Sequence, residues 1–345
     1  MKILMAGSFK YAFYDEACAH ALEKLGNDVV RFSWQKYYGT GLLSKMQQRW
    51  LIGPGIVRLN QDLVRAVSHS FPDVVFITRG VPIWPSSLSR IKKHTRALLV
   101  SNNNDDPFGG ERGKCLWSHF VKAIPLYDLH FVFRAANVPE YLQCGAKRAE
   151  VLMPYYVPKL HYPIALDQQE ITQYSCEVAF VGHAKRDSRL TYLEPLARSG
   201  VDLRLYGWYW DRLSNEYPWL EGRYFPPVWD LDYTRAIRAT KVALVFFTEK
   251  NRDTYTCRTF EIPAIGTCMV SERTEDMQRL FREDIEAVYF SSPDELVEKV
   301  RWLLSDDDAR NMLREKAQER LNNLGASVDD RMSEALLAIQ ACMTR

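Results

Sequence analysis

The chain has 345 residues, 47% hydrophobic and 26% charged, which is room for two domains with ordinary soluble cores. Its net charge of only +2 gives no bulk electrostatic argument for nucleic acid or an anionic membrane, and no nucleic-acid partner is expected; a local basic cluster and peripheral membrane contact stay open. Seven scattered cysteines (18, 115, 144, 176, 257, 268, 342) without C-x-x-C spacing argue against a disulfide framework or zinc site and suggest reduced, mostly buried thiols.

In chain order, "KILMAG" (2–7) reads as a strand, followed by a loop holding Gly7 and Ser8. Ala17, Ala21, Leu22 and Leu25 then fall at helical spacing, and Gly26 stops the helix before the strand "DVVRFSW" (28–34). Helices near 56–69 and 86–94 alternate with strands at 73–80, 97–102 and 129–134, and a short helix ends at Gly145. These strands are apolar along their length, as strands covered by helices on both faces must be.

The proline-bearing stretch 150–163 and the polar "IALDQQEITQY" read as a linker. After it the alternation restarts, with strands at 176–183, 202–208, 241–247, 267–271 and 287–292. Helices are expected at 188–200, 293–304, 307–323 and roughly 327–343. The expected domains are 1–165 and 166–326, with a helix over 327–345 that could pack back on the first. The fold class is α/β, two Rossmann-like halves facing across a cleft at the C-terminal strand ends.

Three stretches could carry chemistry. In "VGHAKRDSR" (181–189) a strand ends at Gly182, basic residues follow, and a helix begins. Free amides at a helix start attract phosphate, and Lys185, Arg186 and Arg189 would add charge, yet a solvated basic loop explains the local sequence equally well. In "RDTYTCRTFEIPAIGTCMVSE" (252–272), Pro263 limits the helix to a short, bent element around 256–265. Glu261 could cap that element or accept both hydroxyls of a ribose, and Arg258 could meet a diphosphate. In "SNNNDDPFGG" (101–110), Asp105 and Asp106 point in different directions if the loop is extended, and either could be a general base or part of an Asp-Pro turn. The "DLD" at 230–232 precedes a helix and reads as capping, and the seven histidines never approach metal-ligand spacing.

The run "RTFEIPAIGTCMVSERTEDMQRLF" (258–281), followed by "EAVYFSSPDELVEKVRWLLSDDDAR" (286–310), resembles the CgeB/YkvP-like glycosyltransferases, a GT-B branch related to glycosyltransferase family four. Upstream, "CEVAFVGHAKRDSRL", "LRLYGWYWDRL", "SNNNDDPFG" and "VPEYLQCGAKRAEVLMPYYVPKLHYP" are similar to that family's ordered segments. The resemblance implies a metal-independent enzyme that moves sugar from a nucleoside-diphosphate sugar to a hydroxyl of a glycan or glycolipid. It implies no cofactor besides that donor substrate, with bacterial cell-surface polysaccharide as the setting; the early-broken start "MKILMAGSF" and the lack of a run of about 20 apolar residues lead to an expected cytoplasmic location.

Residue by residue, the resemblance puts Gly182, His183, Lys185, Arg186, Arg189, Gly207, Tyr255, Arg258, Thr259 and Glu261 around the donor. Gly7, Ser8 and Lys10 would meet the acceptor, and Asp105, Asp106 and Asp253 would supply catalytic carboxylates. Asp253 stands where related retaining enzymes carry a glutamate, so the stereochemical course stays open. Two other functions share the pattern: a non-catalytic nucleotide-sugar or glycan-binding assembly factor, and a GT-B-type nucleotide-sugar epimerase.

Overall fold

The computed structural model describes residues 1–110 and 114–344, apart from the side chains of Lys114 and Cys115. The Cys115 thiol expected to be reduced and buried therefore lies outside the described residues. The other six cysteines are free thiols.

The chain divides into two compact units. The first holds Met1–Pro154, Glu249–Asp253 and the residues from Ser327 onward, and the second holds Tyr155–Thr248 and Thr254–Ala326. In the first unit, β1 (Lys2–Gly7), α1 (Ala17–Lys24), β2 (Asp28–Ser33), α2 (Leu42–Trp50) and α3 (Pro54–Ser70) come first. Then follow β3 (Val74–Thr78), α4 (Pro85–His94), β4 (Leu98–Asn103), α5 (Lys114–Ala123), β5 (Leu129–Val132), α6 (Asn137–Gln143) and β6 (Ala149–Val151). The strands form one parallel sheet in the order β2-β1-β3-β4-β5-β6. Its central strands are buried almost throughout because helices cover both faces.

The second unit runs α7 (Gln168–Tyr174), β7 (Cys176–Val181), α8 (Arg189–Arg198), β8 (Leu203–Tyr206), β9 (Tyr224–Phe225), α9 (Asp230–Ala239) and β10 (Thr240–Val245). It continues with α10 (Arg258–Ile265), β11 (Cys268–Glu272), α11 (Glu275–Leu280), β12 (Val288–Phe290), α12 (Pro293–Ser305) and α13 (Asp307–Asn323). Its sheet is also parallel, ordered β12-β11-β10-β7-β8-β9. The last helix, α14 (Val328–Met343), packs on α1 and β5 of the first unit, where Lys24 pairs with Asp329.

Several elements were not expected from the sequence. The stretch read as a linker contains β6 and α7; Asp167 and Glu170 close a reciprocal capping box at the start of α7. β6 and β9 are edge strands of three and two residues, too short for alternation to show. By contrast the bent element around Pro263 is present as α10, ended by Gly266 at φ 79°.

In each sheet the strand order reverses once, between β1 and β3 in the first unit and between β7 and β10 in the second. Connections leave in opposite directions there, and a crevice opens beyond the carboxyl ends of the two strands. At the second of these, β7 and β8 end in tight mutual approach. Gly207 sits at φ 155°, and a Cβ on it would lie 2.2 Å from the Gly182 carbonyl oxygen. Gly207→Ala should therefore lower the stability of the second unit by about 2 kcal/mol or more, read as a shift in the urea unfolding midpoint.

Candidate functional site

In the second unit the candidate residues gather at the β7/β10 reversal. α10 is apolar on nearly every side, and Thr259 through Ile265 are all buried. Glu261 is the exception in chemistry: a carboxylate 7% exposed, held in the first turn. Two things compensate its burial. The N-terminal end of the helix favours negative charge, and the Tyr233 hydroxyl on α9 donates to Oε2 at 2.8 Å. Burial first, and then the Glu261 charge, hold the Tyr233 phenol well above its ordinary pKa, so it stays a donor at any physiological pH. The other oxygen, Oε1, accepts from no described residue.

Arg258, one turn before Glu261, links this carboxylate to the end of β7. Its Nε donates to the Val181 carbonyl at 2.6 Å, and its guanidinium lies 5.8 Å from the Tyr233 ring centre. Beyond Val181, the Gly182 amide donates to the Tyr206 carbonyl at 2.8 Å, and its carbonyl accepts from Trp210 Nε1 at 2.9 Å. His183 follows, and its Nδ1 accepts from the Trp208 amide at 3.2 Å. Partial burial lowers the His183 pKa, and the charges of Arg258, Lys185 and Arg189 lower it further. The ring is neutral at pH 7, first because it is partly buried and then because cations crowd it. Arg189, buried at the start of α8, donates from Nη1 to the His183 carbonyl at 3.2 Å and is braced by Asp187 at 2.8 Å.

Gly182, His183, Lys185, Arg189, Gly207, Arg258 and Glu261 are thus brought to one end of the sheet. Arg186 is not: it is exposed and pairs with Glu216. It lines a groove of about 1170 Å3 between α8 and α12 that includes neither Arg258 nor Glu261. Thr259 also turns away, accepting from the Thr256 amide at 3.2 Å and donating toward Met277 Sδ at 3.4 Å. Tyr255 is buried just before α10.

Sequence reasoning passed over two residues here. Tyr233 lies inside "DLDYTRAIRAT", whose acidic start reads as capping. His161 sits in the supposed linker, yet is 4% exposed and packs edge-on to Tyr233 at 5.8 Å. Burial lowers the His161 pKa, and its Nδ1 accepts from the Val157 amide at 3.0 Å. No local signal points to either, because both depend on α9 crossing α10.

In the first unit, Gly7 and Ser8 close over a buried carboxylate absent from the sequence-based candidates. Asp15 accepts from Ser8 Oγ at 3.2 Å, the Phe9 amide at 2.8 Å and Thr78 Oγ1 at 2.5 Å. A Cβ on Gly7 would stand 2.6 Å from Asp15 Cγ, so the glycine is needed for this closure. Lys10 is exposed just beyond, beside the Tyr11 ring.

The other carboxylates of this unit form a clasp. Asp105 and Asp106 do point apart: Asp105 meets Arg79 at 2.7 Å, whereas Asp106 is buried against Arg252 at 2.6 Å. Asp106 Oδ1 also accepts from the Phe108 amide and Asn137 Nδ2, both at 2.9 Å. Arg252 reaches on to Glu140 with two bonds of 2.9 and 2.8 Å. One residue later, Asp253 pairs with Arg134, and the two side chains are only 7% and 4% exposed. Arg134 Nη1 also donates to the Asn104 carbonyl at 3.2 Å. Burial pushes the Asp106 carboxyl up, but the bonds from Arg252, Phe108 and Asn137 outweigh it and leave the pKa below the ordinary value. Asp106 and Asp253 thereby hold residues 249–253 against the 101–110 loop.

Two outcomes follow for this clasp. Arg134→Met removes the guanidinium that pairs with the buried Asp253 carboxylate and should cost about 3 kcal/mol by chemical unfolding; adding Asp253→Leu should recover most of it. Because the folded Asp106 pKa is depressed, its stabilisation is present above the unfolded value of about 3.9 and is lost as pH falls through that region. Asp106→Asn should flatten the acid limb of a stability-versus-pH curve below about pH 4.

Three solved structures place this architecture. Sucrose-phosphate synthase from Thermosynechococcus elongatus superposes with a TM-score of 0.72 at 12% identity, over 100% of both chains. HepE from Anabaena, solved with UDP and glucose, gives 0.68 at 13% identity over 99% of this chain and 100% of its own. Trehalose 6-phosphate synthase from Burkholderia multivorans gives 0.66 at 11% identity over 100% and 99%. No curated protein sequence matches the chain. The chain has the GT-B fold of these enzymes, and its residues 189–336 match the family described as Glycosyl transferase-like.

Proposed function

We propose that the chain is a glycosyltransferase that takes sugar from a nucleoside-diphosphate donor and delivers it to a hydroxyl acceptor. The observation that carries this is Glu261. An apolar buried helix gains nothing in packing from a carboxylate, yet one is held by Tyr233 beside Arg258 at a strand-order reversal. One carboxylate oxygen fixed and the other open suits a vicinal diol such as a ribose. The Glycosyl transferase-like match over this region and the UDP bound by HepE support the reading.

In this mechanism Glu261 holds the ribose, and Arg258, Lys185 and Arg189 face the diphosphate. Their positive potential stabilises the charge that grows on the leaving phosphate as the glycosidic bond breaks, in place of a metal ion. His183, neutral in the free protein, gains a proton more readily once the diphosphate arrives, so donor affinity should rise as pH falls toward 6. Of the first-unit carboxylates, Asp106 has both oxygens committed, so Asp105 is assigned the role of base if the transfer inverts. Gly7, Ser8 and Lys10 would meet the acceptor, taken from the family resemblance to be a glycan or glycolipid of a bacterial cell surface, and the enzyme would work in the cytoplasm. No helix among the described residues is long and apolar enough to cross a membrane.

The test is UDP affinity by calorimetry together with nucleoside-diphosphate release from a donor panel, with and without acceptors. Glu261→Gln should weaken UDP binding roughly 10- to 100-fold, and Tyr233→Phe less. Unchanged affinity in Glu261→Gln would remove the ribose role. Tight binding by the parent with no nucleotide release from any donor would instead favour a non-catalytic binding protein.

A further inference from the structure

Helix α2 is built inside out. Of its nine residues none is buried, and the three that are half-buried are all polar: Ser44, Gln47 and Gln48. They are turned inward by hydrogen bonds. Ser44 Oγ accepts from the Gly39 amide at 2.8 Å, and Gln47 Oε1 accepts from the Gly55 amide at 2.8 Å. The apolar side chains look out instead. Leu42 is 75% exposed, Leu43 76%, Trp50 60% and Ile52, in the turn that follows, 65%. At 100° per residue, Leu42, Met46, Trp50 and Leu43 share one face, and Lys45 and Arg49 flank it. A surface helix normally orients the other way, apolar stripe inward.

We propose that this face docks the protein on an anionic lipid surface. Charge selects that occupant. Between Asp28 and Asp62 the chain has no acidic residue, while Lys36, Lys45, Arg49 and Arg58 cluster there. Neither Lys45 nor Arg49 forms an ion pair with any described residue. A second copy packed face to face would bring these cations together, whereas anionic headgroups would neutralise them. Leucines and a tryptophan beside lysine and arginine match a helix lying in the plane of a bilayer interface, with its apolar side chains among the acyl chains. The polar side already held by Gly39 and Gly55 sets that orientation before any membrane is met. The inference does not depend on the donor site, since binding to lipid is read without turnover.

The experiment is co-sedimentation of the full chain with vesicles of phosphatidylcholine alone or enriched in phosphatidylglycerol. Binding to the phosphatidylglycerol vesicles is expected, and roughly tenfold or more weaker binding to phosphatidylcholine alone. Leu43→Ser with Trp50→Ser should cut binding about tenfold or more, and Lys45→Glu with Arg49→Glu should abolish the lipid preference. Circular dichroism and UDP affinity should be unchanged in both, since neither pair lies in the donor site or the core. Three results would overturn the proposal: no binding to phosphatidylglycerol vesicles, equal binding by parent and variants, or a dimer in sedimentation velocity that Leu43→Ser with Trp50→Ser dissolves.

Discussion

Parallel pairing governs this molecule. A parallel strand cannot turn straight back on its neighbour, so all connections but the one from β8 to β9 cross the sheet through an α-helix, and each sheet is covered on both faces. The loops then fall into two sets, and the set after the strands' carboxyl ends is the one that carries chemistry. Gly7 and Ser8 at the end of β1, residues 104–110 after β4, and Gly182 to Arg189 after β7 all belong to it. The reversal of strand order adds the rest. Because β7 and β10 are neighbours, α10 starts beside the end of β7, and Arg258 can reach the Val181 carbonyl.

Against that frame the molecule holds its buried charges in two ways. Asp106 is saturated, with every oxygen taken, and Asp253 is locked by a buried ion pair with Arg134. Such a group is poor at abstracting protons and good at fixing backbone. Gly109 belongs to the same clasp, where the loop comes so close to the Lys250 carbonyl that a Cβ would stand 2.1 Å away. Glu261 is held differently, with one firm partner and one open oxygen. A half-satisfied buried carboxylate is costly to maintain, and that cost is why Glu261 carries the proposed ribose role.

The same contrast distinguishes α2 from the rest of the surface. Most exposed large side chains of the chain stand singly, which is ordinary. In α2 they form a contiguous outward face because the helix is anchored by its polar side. Local hydrogen bonds to Gly39 and Gly55 hold the polar side inward and leave leucine and tryptophan facing out.

The sequence by itself determined the α/β rhythm, the central strands and the short proline-bent helix that carries Glu261. Each rests on local signals: apolar runs, glycine stops and helical spacing. It also separated Asp105 from Asp106, because adjacent residues in an extended loop diverge. Only the tertiary structure decided that Asp106 and Asp253 serve a clasp, since Arg252 and Arg134 lie 146 and 119 residues from the carboxylates they bind. The same holds for Tyr233 and Asp15, whose roles arise where α9 crosses α10 and where Thr78 of β3 meets the loop after β1. The edge strands escaped notice for the opposite reason: two or three residues are too few to show alternation, and their neighbours position them.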